Sequence, residues 1–177
     1  MTQILDSFAS FWFYFMFLSF AFGLIGFGCL FIWQYGNPDN PKKYLKRGGV
    51  LFGQVFLTWI IGFGVLWLIQ SRAKDELRSI IANEQVNLSI DGEHLDNRKK
   101  VEITQILKTL KSISAHHSHP TKEIIIELEY NNQKSKIYLN KDSERENEYW
   151  VFWDKYRITE SNEIGRITSK KLKKYGS

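Results

Sequence analysis

Two long stretches near the start of the chain contain no charged side chain. Phe8–Tyr35 reads FASFWFYFMFLSFAFGLIGFGCLFIWQY, and Gly48–Ser71 reads GGVLFGQVFLTWIIGFGVLWLIQS. About 20 apolar residues in a helix cross a ~30 Å hydrocarbon core, so each stretch is long enough to span a membrane. Trp12 and Trp33 lie towards the ends of the first stretch, where aromatic side chains suit the two membrane interfaces. The pattern predicts a transmembrane helical hairpin over residues 1–71, with helices at about 8–35 and 48–71.

Beyond Ser71 the apolar residues return to the spacing of a water-soluble chain. Leu77, Ile80 and Ile81 recur at helical spacing, which predicts that the second helix continues as a helical linker over 72–85. A soluble domain over 86–177 follows. Its first elements are an alternating strand, VNLSI, a turn at Asp91-Gly92 and a short return strand within EHLD.

The rest of the soluble half predicts one helix and several further strands. Asp96 or Asn97 is suited to cap a helix that runs to about Ser114, with an apolar stripe facing the core. That stripe comprises Val101, Ile103, Ile106, Leu107, Leu110 and Ile113. TKEIIIELEY and SKIYLN form a hairpin joined at Asn131-Asn132, YWVFWDKYRI is a strand, and SNEIGRIT turns back into a short one. The predicted fold is a membrane α-helical hairpin followed by a small α+β domain with a mainly antiparallel sheet.

Basic residues around the two apolar stretches bear on the orientation of the chain in a membrane. Four follow the first stretch in a short loop, and three closely follow the second. The loop residues are Lys42, Lys43, Lys46 and Arg47, and the later ones are Arg72, Lys74 and Arg78. Short basic loops stay in the cytoplasm, whereas large domains translocate with little regard to charge. This rule slightly favours a soluble domain outside the cytoplasm.

Motifs of catalysis are missing from the sequence. It contains no Walker-type phosphate loop, no G-x-S-x-G, no H-E-x-x-H and no recognisable pair of catalytic carboxylates. The one cysteine, Cys29, lies in the first apolar stretch, where water is excluded and a thiolate does not form. We therefore predict no enzyme, no catalytic residue and no cofactor.

Three of the four histidines fall within SISAHHSHP: His116, His117 and His119. His117 and His119 in an extended segment suit zinc, with His116 or His94 as a third ligand, but a fourth ligand is lacking. The cluster also lies where a helix ends and a strand begins, and imidazolium groups are favourable near a helix C-terminus. A third interpretation is a polar pocket for an anionic or nucleobase ligand. We predict no metal site here.

An aromatic strand, Tyr149–Trp153, carries basic residues behind it. Alternation puts Tyr149, Val151 and Trp153 on one side and Trp150 and Phe152 on the other. A strand buried on both faces accounts for this composition, but guanidinium groups also pair with phosphates and aromatic rings stack on bases. Under the second interpretation the strand and the histidines form one ligand site. Its predicted residues are His116, His117, His119, Trp153, Tyr156, Arg157 and Arg166.

Small residues recur within both apolar stretches. Ser19-x-x-x-Gly23 and Gly49-x-x-x-Gly53 are pairs of the kind that let membrane helices approach closely. Simple anchoring needs only one helix. The pairs therefore favour a homo-oligomer of two-helix protomers within a lipid bilayer.

In layout the chain resembles the small membrane effectors of bacterial antiviral signalling, above all the cyclic-oligoadenylate-gated effectors of type III CRISPR systems. The resemblance rests on Phe8–Tyr35, Gly48–Ser71 and the basic α+β domain behind them. It implies an oligomer in the bacterial inner membrane with a cytoplasmic domain that binds a cyclic nucleotide and then disrupts the membrane. The histidines and the aromatic-basic strand would contact adenines and phosphates, and no DNA partner is expected.

Two rival hypotheses need no nucleotide. A two-helix immunity protein with a periplasmic domain that neutralises a toxin fits the charges of the loop better. A metal-binding accessory subunit of an envelope complex rests on the histidines alone. The side of the membrane separates the first two classes, because a nucleotide messenger requires a cytoplasmic domain and a periplasmic toxin requires the opposite.

Overall fold

The computed structural model describes residues 2–112 and 117–175 of the 177-residue chain. Two long helices come first, α1 over Thr2–Tyr35 and α2 over Pro41–Ala82. The chain separates into two compact units, Gln3–Leu68 and a second unit from Ile69 onwards, so that α2 belongs to both. Both helices are long and apolar enough to cross a membrane. Helix α2 continues past Ser71 and ends at Ala82.

Polar groups between the two helices of the first unit bind one another. The Gln54 amide donates to the Ser19 carbonyl at 2.9 Å, and the Ser19 hydroxyl donates to Gln54 Oε1 at 3.2 Å. The Trp12 indole donates to the carbonyl oxygen of Thr58 at 3.1 Å. A polar group without a partner is costly in hydrocarbon. These contacts therefore fix which faces of the helices meet.

The two helices approach each other closely at Gly26 and Gly48. A Cβ added to Gly26 would lie 2.7 Å from the Phe52 backbone nitrogen, and one added to Gly48 would lie 2.9 Å from the Gly26 carbonyl oxygen. Gly49 and Gly53, the small-residue pair of the sequence prediction, have open space at their Cβ positions within the described chain. The close contact between α1 and α2 is therefore made by Gly48, one residue before the Gly49 and Gly53 pair.

The second unit contains one six-stranded antiparallel sheet, in the order β2-β1-β3-β4-β5-β6. The strands are β1 Asn87–Ile90, β2 Glu93–His94, β3 Pro120–Tyr130, β4 Gln133–Asp142, β5 Glu148–Trp153 and β6 Gly165–Thr168. The helices are α3 Asn97–Lys108, α4 Arg157–Ser161 and a 3₁₀ helix at Lys170–Lys174. The predicted fold class is confirmed.

Turn residues explain the hairpins of the sheet. Asn131 and Asn132 have φ of 50° and 59°, the left-handed pair that joins β3 to β4 in a two-residue turn. Asp91 and Gly92, with φ of 50° and 83°, do the same between β1 and β2. Asp96 caps α3 by accepting a hydrogen bond from the Lys99 N–H at 2.8 Å. Both turns were predicted from the sequence, and Asp96 was one of the two predicted caps.

One face of the sheet packs against α3 and the end of α2 to form the core. Ile126, Ile137 and Trp153 are aligned across β3, β4 and β5, and none of them is exposed to solvent. From the helices, Leu77 and Leu107 belong to the same cluster of buried apolar residues. Period-two alternation sends the neighbouring side chains to the opposite, outer face of the sheet.

Three local predictions need correction. Helix α3 ends at Lys108 rather than near Ser114, because the backbone of Lys111 exchanges hydrogen bonds of 2.8 and 3.0 Å with Arg166 and must be extended there. Val101 is 55% exposed, since its position on α3 is out of phase with the buried stripe. Strand β5 ends at Trp153, and the Thr159 hydroxyl, which donates to the Trp153 carbonyl at 2.6 Å, helps to turn the chain into α4.

Replacing Gly26 by valine should destabilise the helical hairpin, since the new Cβ would overlap the backbone of α2; overpacking of this kind costs about 1–3 kcal/mol. Gly28→Val is the matched control in the same helix, because Gly28 has open space at its Cβ position. The measurement is the unfolding temperature of the full chain in detergent micelles. Equal values for the two variants would contradict the close approach.

Candidate functional site

A fully buried guanidinium, that of Arg166, joins three strands of the sheet. Its Nη1 donates to Glu148 Oε1 at 2.9 Å and lies 3.7 Å from Asp142 Oδ2, while Nε donates to Glu163 Oε2 at 2.9 Å. The guanidinium carbon lies 3.7 Å from the centre of the Trp150 ring. We call Asp142, Glu148, Trp150, Glu163 and Arg166 the Arg166 cluster. A buried cation is stable only with such charge-assisted bonds, and here carboxylates on several sides supply them.

Asp142 is the most heavily hydrogen-bonded carboxylate of the cluster. Its Oδ2 accepts from the Ser118 hydroxyl at 2.5 Å and from the Trp150 indole at 2.8 Å, and its Oδ1 accepts from the backbone N–H groups of Glu144 and Arg145, both at 2.9 Å. Burial by itself would raise the pKa of Asp142, but these hydrogen bonds outweigh it and hold that pKa well below its usual range. The carboxylate is therefore ionised at every physiological pH.

Neighbouring carboxylates keep Arg166 protonated. Burial would lower the pKa of this guanidinium, but hydrogen bonds to Glu163 and Glu148 raise it above its ordinary value. The Arg145 guanidinium adds a further cation, 3.1 Å from the second oxygen of Glu148. The cluster is thus a closed ion network, in which Arg166 can bind an external phosphate only by releasing a carboxylate.

The segment with the histidines meets the aromatic strand at this cluster. Ser118 lies between His117 and His119, and its hydroxyl shares Asp142 Oδ2 with the Trp150 indole. The His119 backbone N–H donates to the Ser143 hydroxyl at 3.1 Å, and the His119 carbonyl accepts from the Ser143 backbone N–H at 3.0 Å. Asp142 therefore joins the segment around Ser118 to the aromatic strand at Trp150.

Trp153 and Tyr156 lie towards the other end of β5. Trp153 is fully buried, donates from its indole to the Ser135 hydroxyl at 3.0 Å, and stacks edge-on with Tyr156 at 5.8 Å. The Tyr156 hydroxyl donates to Glu76 of α2, which also accepts from Lys155 at 2.7 Å. These aromatics connect the last turns of α2 to the sheet, so their contacts are internal to the domain.

The predicted site residues thus fall into two groups. Arg166 lies near Ser118, which stands between the exposed His117 and His119. Trp153, Tyr156 and the exposed Arg157 lie at or beyond the far end of β5. Trp153 is three residues from Trp150, or ~10 Å at the rise of a strand. His116 lies outside the described residues. A ligand role for the predicted residues stays a prediction.

Sequence reasoning placed Trp150 and Phe152 on the outer face of the sheet but overlooked the residues beside them on β3 and β4. Ile125, Tyr138 and Phe152 are aligned across β3, β4 and β5 on this face, and all three are partly exposed. Glu123 and Asn140 are aligned in the next row, followed by Trp150. The signal was present: β3, β4 and β5 each carry a bulky apolar residue out of phase with their core-facing ones. Such residues on a solvent-facing side favour a binding surface.

Clefts on the second unit differ in charge, and one of about 400 Å³ beside Trp153 is lined by Lys134, Lys155 and Asp154. The cleft near β1 and β2, about 340 Å³, is lined by Glu127, Glu129 and Asp154 as well as by Lys134, Lys136 and His94. A cleft of about 210 Å³ on the outer face is lined by Glu123, Tyr138, Asn140, Phe152 and Glu160. Within the described ranges, no three His, Cys, Asp or Glu side chains are grouped as a metal ion would require.

Comparison with known proteins does not assign the chain to a family. No protein-family model, curated protein or solved structure matches it.

Replacing Asp142 by asparagine should destabilise the fold by about 2–3 kcal/mol at neutral pH, because the buried ion network loses a charge and an acceptor. Since folding lowers the pKa of Asp142, its carboxylate stabilises the fold above the ordinary value of 3.8, and this contribution is lost progressively at lower pH. The difference between the wild type and Asp142→Asn should therefore shrink as the pH falls below 3.8.

Chemical or thermal unfolding of the full chain in detergent, followed from pH 7 downwards, measures this effect. Glu144→Gln removes an exposed carboxylate two residues away and should leave stability unchanged. A destabilisation by Asp142→Asn that is constant over the whole pH range would contradict the assignment.

Proposed function

We propose that the chain is a membrane-anchored binding protein of the immunity type, whose soluble domain captures a protein partner on the outer face of its sheet. One observation carries the proposal: the partly exposed row of Ile125, Tyr138 and Phe152 on that face. Trp150 borders the same row. Aromatic and apolar side chains at the centre of a patch, with polar residues around them, are typical of protein–protein interfaces.

The charges of this face favour a protein over a nucleotide. Glu123 and Glu160 lie beside the apolar row, and carboxylates repel the phosphates of a nucleotide, whereas Glu127 is ion-paired with Lys136. The guanidinium best placed to offset them, that of Arg166, already binds Glu148 and Glu163 in the buried network. A nucleotide would have to displace these carboxylates or bind elsewhere.

The orientation in the membrane follows from the loop between the helices. The four basic residues of the loop slightly outnumber the three that closely follow the second apolar stretch, which favours a cytoplasmic loop and an extracytoplasmic domain. In a bacterial inner membrane the domain would then face the periplasm. There a toxin delivered by a competing cell would be accessible to an immunity protein.

A cyclic-nucleotide sensor is the second candidate, and one observation favours it. Residues on both sides of the 113–116 segment are hydrogen-bonded to other elements. On one side, Ser112 accepts from Lys74 of α2, and the Leu110 carbonyl accepts from Arg78 of α2. On the other side, Ser118 donates to Asp142. A ligand at the histidines would therefore contact a segment that is bonded directly to α2. In this hypothesis an oligomer of the chain would transmit cyclic oligoadenylate binding to the membrane.

Reporter fusions at Ser177 test the proposal, using one reporter that is active only in the periplasm and one that is active only in the cytoplasm. We expect activity from the periplasmic reporter alone, because the basic loop is retained in the cytoplasm. Fusions after Asn40, in the loop, are the control and should give the opposite result. A cytoplasmic C-terminus would overturn the immunity hypothesis and leave the nucleotide sensor, to be tested by titration with cyclic oligoadenylates.

A further inference from the structure

The outer face contains a pocket with an aromatic floor and an acidic rim. Tyr138 and Phe152 are directly opposite each other on β4 and β5, and both are partly exposed. Glu123 of β3 and Glu160 of α4, both exposed, line the same cleft, together with Asn140. Three strands, β3, β4 and β5, and helix α4 thus place two carboxylates beside two aromatic rings.

The charged side chains that line the pocket are acidic. Burial raises the pKa of the Tyr138 hydroxyl, and the charges of Asp154, Glu160 and Glu123 raise it further. The only charged residues that line the cleft in the described part of the chain are Glu123 and Glu160. Lys136, two positions along β4 on the same face, is ion-paired with Glu127 at 3.8 Å. The pocket therefore attracts cations.

Size restricts what the pocket accepts. About 210 Å³ is less than the ~300–1,000 Å³ of pockets that hold drug-sized molecules, so a single side chain fits better than a nucleotide. Aromatic faces attract cations, and a planar guanidinium both stacks on rings and pairs with carboxylates. Asn140 adds a polar feature, since its Oδ1 is buried and has no hydrogen-bond donor among the described residues.

We propose that the cleft formed by Glu123, Tyr138, Phe152 and Glu160 receives an arginine side chain of the partner protein. The proposal rests on the proposed function and deepens it, because it makes the partner's contact surface basic. The guanidinium lies against the two rings, and the carboxylates accept its N–H groups. The surrounding apolar residues, Ile125 and Trp150, contact the partner on either side of this arginine.

A pair of matched peptides tests this inference on the full chain in a nonionic detergent. One short fluorescein-labelled peptide carries an arginine between apolar residues, and the other carries citrulline, the neutral analogue of the same shape. Fluorescence anisotropy should show the arginine peptide binding about ten-fold more tightly. The double variant Glu123→Gln/Glu160→Gln should abolish this preference, and Phe152→Leu should reduce it.

Glu144→Gln is the control, because it removes one exposed carboxylate outside the pocket and should keep the preference. Unfolding temperatures of all variants establish that they are folded. Equal binding of the two peptides, or binding of neither, would overturn the arginine pocket. A preference that survives in Glu123→Gln/Glu160→Gln would also overturn it. None of these results bears on the reporter fusions, so the proposed function stands or falls separately.

Discussion

The soluble domain depends on satisfying one buried cation. Arg166 has no exposed surface, yet it carries a full charge, and such a charge is tolerated only when carboxylates compensate for lost hydration. The carboxylates come from β4, from β5 and from the turn before β6, so the guanidinium holds the last three strands together. Its backbone also pairs with Lys111, which places the end of α3 beside β6. Gly165 permits this approach, since a Cβ there would lie 2.7 Å from the Lys111 carbonyl oxygen.

This use of Arg166 limits which side chains remain available to a ligand or partner. The basic and aromatic residues that suggested a nucleotide site, Arg166 and Trp153, are largely occupied by internal contacts. The side chains on the outer face of the sheet that are partly open to solvent include a row of apolar and aromatic residues, with Glu123 and Glu160 beside it. This is the surface on which we propose that a basic protein partner binds. In the first unit, by contrast, the exposed apolar side chains suit lipid, and the paired Ser19 and Gln54 hold the hairpin together.

Most of the fold could be predicted from local patterns, and the site could not. Uncharged stretches predict the two helices, Asn131-Asn132 predicts a hairpin and Asp96 predicts the start of α3. The end of α3 could not be predicted, because it depends on the pairing of Lys111 with Arg166, which are distant in sequence. Nor could sequence reveal that Asp142 and Glu148 neutralise Arg166. The outer face was predictable in part, because Ile125 and Tyr138 interrupt the alternation of their strands.

The stability of an Arg166→Gln variant tests the central claim most directly, namely that this cation is part of the fold and not a free ligand-binding group. Unfolding of the full chain in detergent should show a loss of about 3–5 kcal/mol, the usual effect of leaving buried carboxylates, here Asp142 and Glu148, without their partner. Arg98→Gln, which removes an exposed arginine from α3, should have almost no effect. An Arg166→Gln chain as stable as the Arg98→Gln control would contradict the account and return Arg166 to the list of candidate ligand-binding residues.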